Sequence, residues 1–568
     1  MFVDANQVAQ GDSVETDLCI IGAGAAGITI ARALGAEPIR IALLESGGLD
    51  FEIETQAFDA GQSVGLPYFP LDGARMRYFG GTTNHWGGTC RPLDDLDFTR
   101  RDGVPNTGWP IGRSDLEPYR KSAAHICGLP SDEWDVTAWL DQSPFEALPF
   151  EKRVVTRVAQ IVEPSLRSFG RTYRQAVKSL PNVTTYLHAN VVDIVLDDSA
   201  NRAERVQVAT LGGKRFSVTA RCFVLATGGI ENPRLLLASR SQRPAGIGNG
   251  HGLVGRFFLE HPRFDGGVIR RLTESFHGDF YQPHLVGESR ILGYLGLDRE
   301  LLVQEGLVDV QLRLTPEQPA FYERVKDSED VDALRRLVNR IRKGSAKGDL
   351  TEDLETLADD LTSWRRFMDP GAPLPAPRPE LLEYIANAQP GEVEDLLPEF
   401  FGDVAVFAYG QATNGIPADA IQLSTRIDPV PNPDSRVTLS NERDALGMPR
   451  VQLDWRLSAL DRSSVARTLE IVGTELGSAG LGRLKLLFDP KDDGWPDDLE
   501  GGYHHCGTTR MSDDPISGVV DRDCRVHDLP NLWIAGSSVF VTAGSGTPTM
   551  TVVALALRLA DHLKEVLR

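Results

Sequence analysis

The chain has 568 residues, with 59 lysines and arginines against 80 aspartates and glutamates, a formal charge of −21. This balance excludes nucleic-acid binding that rests on an overall basic surface. With 41% apolar and 24% charged residues the composition is globular, and the length suggests about two to four domains. No window holds the roughly 18 uninterrupted apolar residues of a membrane helix, and the start, MFVDANQVAQGDSVETD, lacks a basic stretch followed by an apolar one. A soluble, cytoplasmic chain without membrane or nucleic-acid partners is expected. Its six cysteines are scattered without a CxxC pair, so neither a metal site, a c-type heme nor a disulfide framework is expected.

The run Asp17 to Ile21 (DLCII) reads as a short apolar strand leading into GAGAAGITIARALGA, where Ile28, Ala31 and Leu34 keep helical spacing. A second strand, 39–44, ends in Glu45. Farther on, 182–197, 205–211 and 216–229 alternate or cluster β-branched residues between turn signals. ENPRLLLASR then predicts a helix entered through Pro233. Short strand-like runs recur over 266–320 and 401–457, a mainly β region. Between them Val331, Leu334, Leu337, Val338 and Ile341, then Leu354, Leu357, Ala358 and Leu361, keep the spacing of amphipathic helices. Five prolines from Pro370 to Pro379 predict a stiff surface loop. This stretch is a helical insertion with a loop, or else a lid or an oligomer contact.

Gly22, Gly24 and Gly27 form GxGxxG directly after a strand and at the mouth of a helix. The first glycine permits a tight turn, the second lets backbone approach a pyrophosphate, and the third lets helix and strand pack closely. Ala25 and Ala26 open the helix, whose free N–H groups and partial positive charge suit phosphates. Glu45, with Ser46 after it, stands at the end of the next strand, where a carboxylate accepts hydrogen bonds from ribose hydroxyls. A carboxylate there repels a ribose 2′-phosphate, which disfavours NADP. The residues leave NAD and FAD both open.

GGTTNHWGG (80–88), ATGGIENPRLLL (226–237), HHCGTTRM (504–511) and the segment 531–563, with WPI at 109–111 and PNPDSRVTLS at 431–440, together resemble the glucose-methanol-choline (GMC) oxidoreductases. These are FAD enzymes, and the resemblance spans nearly the whole chain in the family's order. It implies an α/β fold: a Rossmann-like FAD-binding domain assembled from 12–62, 180–265 and 500–568, flavin-covering and connecting segments over 63–179, and a substrate domain over 266–499. The last is built on an antiparallel sheet with helices and carries the helical insertion 321–400.

The same resemblance implies the site. Further FAD contacts fall on Gly80, Gly81, Thr82, Asn84, His85, Trp86 and Gly87, on Val191 beside the adenine, on Ala226 and Gly228, on Gly536 and Ser537, and on Pro548 and Thr549. His85 corresponds to a position at which some members bond the flavin covalently; covalent and non-covalent contact both stay open. His504, in H-x-x-G-T, corresponds to the base that takes the hydroxyl proton. Adjacent residues of an extended segment face opposite ways, so His505 is left for structure, flavin contact or the substrate. The family's second polar residue, usually Asn or His, is Thr547 here. Either Thr547 touches the substrate oxygen, or His504 works with another partner such as His505 or a residue of the β region.

Similarity to the sugar-oxidising branch, which holds pyranose oxidases, glycoside 3-oxidases and bacterial sugar dehydrogenases, implies oxidation of a secondary alcohol of a sugar or glycoside to the ketone, by hydride transfer to flavin N5. The electron acceptor is then O2 or an unidentified carrier. Gln411 and Asn414, whose amides suit hydroxyl recognition, are candidate sugar contacts, and ordinary strand positions otherwise. Alternatives are a biosynthetic flavoenzyme that oxidises, eliminates or isomerises a non-sugar natural product, and a non-catalytic flavin-binding protein.

Overall fold

The computed structural model describes residues 1–150, 152–273, 276–316 and 420–568. Two compact units are present, Met1–Leu314 with Gln422–Arg568, and Thr315–Ile421. Of the second unit only Thr315, Pro316, Ala420 and Ile421 are described, as the ends of strands Val310–Pro316 and Ala420–Ile427. The helices expected within 321–400, the Pro370 to Pro379 loop, Gln411 and Asn414 lie outside the described residues.

The first unit contains two large sheets and a small one. In the first, the strands run in the order Phe2–Asp4, Val183–Leu187, Ile41–Leu44, Ser13–Ile21, Arg215–Leu225, Ala203–Ala209, Asn190–Leu196, with Leu532–Ile534 also on Arg215–Leu225. The five pairings around Ser13–Ile21 and Arg215–Leu225 that build its centre are parallel, and the last two strands return antiparallel. Ile20 stands opposite Leu43 on one side and Val224 on the other. Leu18 to Ile21 are buried without alternation, as a parallel sheet covered on both faces requires. The helix Ala25–Ala33 packs against both the sheet and the C-terminal helix Pro548–Leu567. This is the strand, helix, strand unit expected from 16–50.

Two predicted elements differ in detail. The extended region 182–197 is broken at His188, which takes a left-handed φ of 57° and separates Val183–Leu187 from Asn190–Leu196. The helix expected to enter through Pro233 starts earlier, at Gly228, and carries Pro233 inside it. A proline there cannot donate to the carbonyl four residues back, that of Gly229. The Thr508 hydroxyl takes that place, donating to Gly229 O at 2.6 Å.

The second sheet runs Gly482–Leu486, Arg263–Arg271, Ala420–Ile427, Val310–Pro316, Ser289–Leu297, Val154–Ile161, Thr89–Cys90, with His284–Val286 on Ser289–Leu297. Gly482–Leu486 on Arg263–Arg271, and Ser289–Leu297 on each of His284–Val286, Val310–Pro316 and Val154–Ile161, pair antiparallel, as does Thr89–Cys90 on Val154–Ile161. Two of its strands, Thr89–Cys90 and Val154–Ile161, come from the stretch 63–179. The third sheet joins Arg436–Arg443, Pro449–Asp454 and Gly61–Ser63. All six cysteines are free and buried, and among the described residues no helix is long and apolar enough to cross a membrane.

Candidate active site

A cavity of about 730 Å³ opens at the carboxyl ends of the parallel strands, within the size range of small-molecule sites, roughly 300–1,000 Å³. Its floor is backbone. Gly22 has φ +102° and no room for a side chain, since a Cβ would stand 2.6 Å from Ala226 O. At Gly24, Gly228 and Gly536, by contrast, a Cβ would meet nothing within 4 Å, and all three line the cavity. Three turns from distant parts of the chain thus leave an open cradle where a substituent would sit. The helix Ala25–Ala33 begins there with no side chain capping its N-terminus, so its first N–H groups are available to an anion. A pyrophosphate fits this backbone surface in size and charge.

Glu45 is 5% exposed, and its two oxygens accept Ala23 N–H (2.9 Å) and Gly47 N–H (3.0 Å). Burial pushes its pKa upward. Each carboxylate oxygen has a second lone pair, so capacity for a ribose hydroxyl remains. Ser46 donates to Asn190 Oδ1 (2.5 Å) and accepts from Arg77 (3.1 Å). Asn232 ties two turns together: its Oδ1 accepts from Thr227 N and Oγ1, and its Nδ2 donates to Ala535 O and Ser538 Oγ. Arg75, Arg77 and Arg234 meet Asp59, Glu231 and Asp444 in one ion network along the wall.

The expected contacts Gly22, Gly24, Ala25, Ala26, Glu45, Ser46, Gly81, Thr82, His85, Trp86, Gly87, Val191, Ala226, Gly228, Gly536, Ser537, Pro548 and Thr549 line this single cavity, with His504, His505 and Thr547. Three others are placed off it. Gly27 packs so that a Cβ would stand 2.0 Å from Gly22 O, and Gly80 so that one would stand 2.3 Å from Asn84 Oδ1. Asn84 accepts from Ser168 Oγ and Gly170 N and donates to Phe79 O, fastening the loop to the helix Phe169–Lys178. The Tyr78 hydroxyl lies 2.6 Å from His85 Nε2, and Trp86 donates to Arg167 O.

At the other end of the cavity the geometry is made by side chains. His504 Nδ1 lies 2.8 Å from His261 Nδ1, while its main-chain N–H is held by Glu260 at 2.9 Å. Glu260 is fully buried and also accepts from Gly502 N, His261 N and the Tyr68 hydroxyl. His505 points elsewhere: its Nε2 meets Tyr68 Oη at 2.8 Å and its carbonyl accepts from Ser537 Oγ. The Thr547 hydroxyl donates to Thr89 O. Among the described residues neither Thr547 nor His505 has a hydrogen bond to the His504 imidazole. That hydrogen bond is made by His261, just ahead of the strand Arg263–Arg271.

Burial, with His261, Arg426, His505 and Arg263 close by, holds His504 well below the ordinary histidine range. It is neutral near pH 7 and able to accept a proton. Arg426, also on the cavity wall, donates to Gln311 and has no acidic partner among the described residues; burial lowers its pKa to about 10. Glu260, His261 and His504 offer atoms within 4.8 Å of one another that could ligate a metal, but the hydrogen bonds above already join those groups. Sequence reasoning missed His261, Glu260, Tyr68, Arg426 and Asn232. Asn232 lies within the motif 226–237 but carries no mark of its bridging role, and no motif or spacing links the other four to the glycine turns or to His504.

Comparison with known proteins agrees with this layout. A family model described as FAD dependent oxidoreductase matches residues 17–349, and one described as GMC oxidoreductase matches 431–556. The 2-methyl-1,2-propanediol dehydrogenase of Mycolicibacterium austroafricanum is 23% identical over 97% of this chain and 95% of its own. Paromamine 6'-oxidase of Streptomyces fradiae is 22% identical over 96% and 90%. A C-glycoside 3-oxidase of Microbacterium trichothecenolyticum is 38% identical over 23% of this chain and 24% of its own. Pyridoxine 4-oxidase of Mesorbium loti superposes with TM-score 0.53 at 17% identity, covering 96% of this chain and 98% of that one, which establishes a common fold. With the Rossmann-like unit, the glycine cradle and the segments 80–88, 226–237, 504–511 and 531–563 all contributing to one cavity, the chain belongs to the GMC family of FAD-dependent oxidoreductases acting on CH–OH groups.

Proposed function

We propose that this protein oxidises a secondary alcohol of a sugar or glycoside to the ketone, with His504 as the base. The observation that carries the reading is the imidazole of His504: neutral, on the cavity wall, with Nδ1 engaged inward and Nε2 without a hydrogen bond among the described residues. Bound FAD supplies the hydride acceptor. The alcohol gives its hydroxyl proton to His504 Nε2 and loses the hydrogen on its carbinol carbon as hydride, so that two electrons leave with that hydrogen and a carbonyl group remains. A positioned base of this kind is worth roughly 10²- to 10⁴-fold in rate. Gly22, Gly24, Gly228 and Gly536 would hold the pyrophosphate, Glu45 the adenosine ribose, and His85, Trp86, Pro548 and Thr549 the flavin. A sugar-type substrate is supported by the likeness to proteins named for paromamine and for a C-glycoside.

A second reading, a non-sugar alcohol, is favoured by the likeness to a diol dehydrogenase over 97% of the chain and by the engagement of Thr547 with Thr89. Anaerobic mixing of the yellow holoenzyme with sugars, glycosides and 2-methyl-1,2-propanediol separates the two. Bleaching by a sugar or glycoside is the expected result; bleaching by the diol alone selects the second reading. Reoxidation by air or only by an added dye then distinguishes O2 from another acceptor. His85, whose Nε2 meets the Tyr78 hydroxyl, is the candidate for a covalent bond to the flavin, and acid precipitation decides it: colour left in the supernatant means non-covalent FAD. A yellow pellet would assign a covalent bond.

A further inference from the structure

His261 is 1% exposed, and its two ring nitrogens have different partners. Nε2 lies 2.7 Å from Gly544 O, and Nδ1 lies 2.8 Å from His504 Nδ1. A carbonyl can only accept, so His261 Nε2 carries the hydrogen. A neutral imidazole has one N–H, which leaves a lone pair on His261 Nδ1. Burial keeps the ring neutral, its pKa lowered to about 3. The hydrogen in the contact between the two rings must therefore sit on His504 Nδ1. We propose that His261 is a positioning residue that locks His504 in its Nδ1–H tautomer, so that the lone pair of Nε2 is the one presented to the cavity. The opposite tautomer would set two lone pairs against each other at 2.8 Å.

The lock is anchored behind His261. Gly544 donates its N–H to Asp428 Oδ1 at 2.8 Å and takes φ +74°. A Cβ there would stand 2.1 Å from Leu93 Cδ2 and 3.2 Å from Asp97 Cγ, so the turn holding the carbonyl has little freedom. The chain of contacts runs Asp428, Gly544, His261, His504, cavity. The other charged or titratable groups near His504 are Arg426, Arg263 and His505 from the side, and Glu260, linked to Tyr68, at the main chain. None has a hydrogen bond to an imidazole nitrogen of His504 among the described residues. The proposal rests on His504 as the base for its catalytic meaning, while the tautomer itself is a property of the folded chain.

Long-range ¹H–¹⁵N correlation spectra of enzyme labelled at histidine nitrogen, with and without added FAD, read the tautomers directly. His504 is expected with Nδ1 protonated and Nε2 bare, and His261 with the reverse; the reverse for His504 overturns the proposal. His261→Leu removes the acceptor. It should convert His504 to mixed or Nε2–H signals and slow flavin reduction by roughly 10- to 100-fold, the scale seen when a metal-bound histidine loses its outer hydrogen-bond partner. His261→Asn returns a carbonyl oxygen near the position of Nδ1 and should restore the His504 signals and most of the rate. Unchanged His504 signals in His261→Leu would overturn the proposal even if the rate fell. If His504→Ala reduces flavin as fast as the parent, the base assignment fails, and the labelled spectra still decide the tautomer.

Discussion

Around Gly24, Gly228 and Gly536 the cavity wall is backbone, whereas around His504 it is side chain held by side chain. The first region binds by absence: no Cβ intrudes, and peptide N–H groups stay open. The second works by occupancy, since Glu260, Tyr68, His261 and Gly544 each spend a hydrogen bond on placing one imidazole or its neighbour. A backbone site tolerates no added bulk but needs few particular side chains. A side-chain site tolerates small changes in bulk but fails when one donor or acceptor is lost.

The contrast is broken most sharply at His504. His504→Ala should cut flavin reduction by about 10²- to 10⁴-fold while FAD stays bound, measured anaerobically by stopped flow; loss of FAD as well would mean the two regions are not separable. Gly22→Ala should do the reverse. Its methyl would press on Ala226 O in a left-handed backbone, costing about 2–5 kcal/mol, seen as a lower melting temperature and a colourless preparation. Thr508→Val tests the joint between the regions. The Gly229 carbonyl would lose its replacement donor, at a cost of about 1–3 kcal/mol in denaturant unfolding.

The pH dependence of stability follows from the histidine end. His261 and His505 are held at about 3 and His504 well below 6.5, chiefly by burial. All three are neutral in the fold and take up protons on unfolding, so their contribution is complete above pH ~6.5 and is lost as pH falls. Each is expected to contribute a slope of about 1.4 kcal/mol per pH unit below that point. His261→Asn should flatten the slope by one histidine's share in urea titrations from pH 7 to 5. An unchanged slope would mean that His261 is already charged in the fold.

Of the backbone region, GxGxxG after DLCII was readable from its glycine spacing, whereas the glycines of ATGG and AGSS were marked only by the resemblance to the family. Ion and hydrogen-bond partners carry no such mark. His261 is 243 residues from His504 in the chain, and an isolated histidine before a strand looks like any other. Thr547 could be seen as a departure, but its engagement with Thr89 required the packing of Pro548–Leu567 beside Thr89–Cys90. The helix at Gly228 began before its proline because Thr508, far along the chain, satisfies the orphaned carbonyl, a tertiary substitution that local propensity does not contain.

The bridge made by Asn232 has a bearing on biogenesis. It joins Thr227 to Ala535 and Ser538, and the strand Leu532–Ile534 completes the sheet on Arg215–Leu225. A nascent polypeptide therefore displays the Thr227 loop long before the stretch that closes over it leaves the ribosome, an interval on the order of a quarter-minute to a minute at ordinary elongation speeds. Until then the apolar edge from Phe223 to Leu225 has no mate. Chaperone demand during translation, and the yield of coloured protein, should depend on how soon that final stretch arrives.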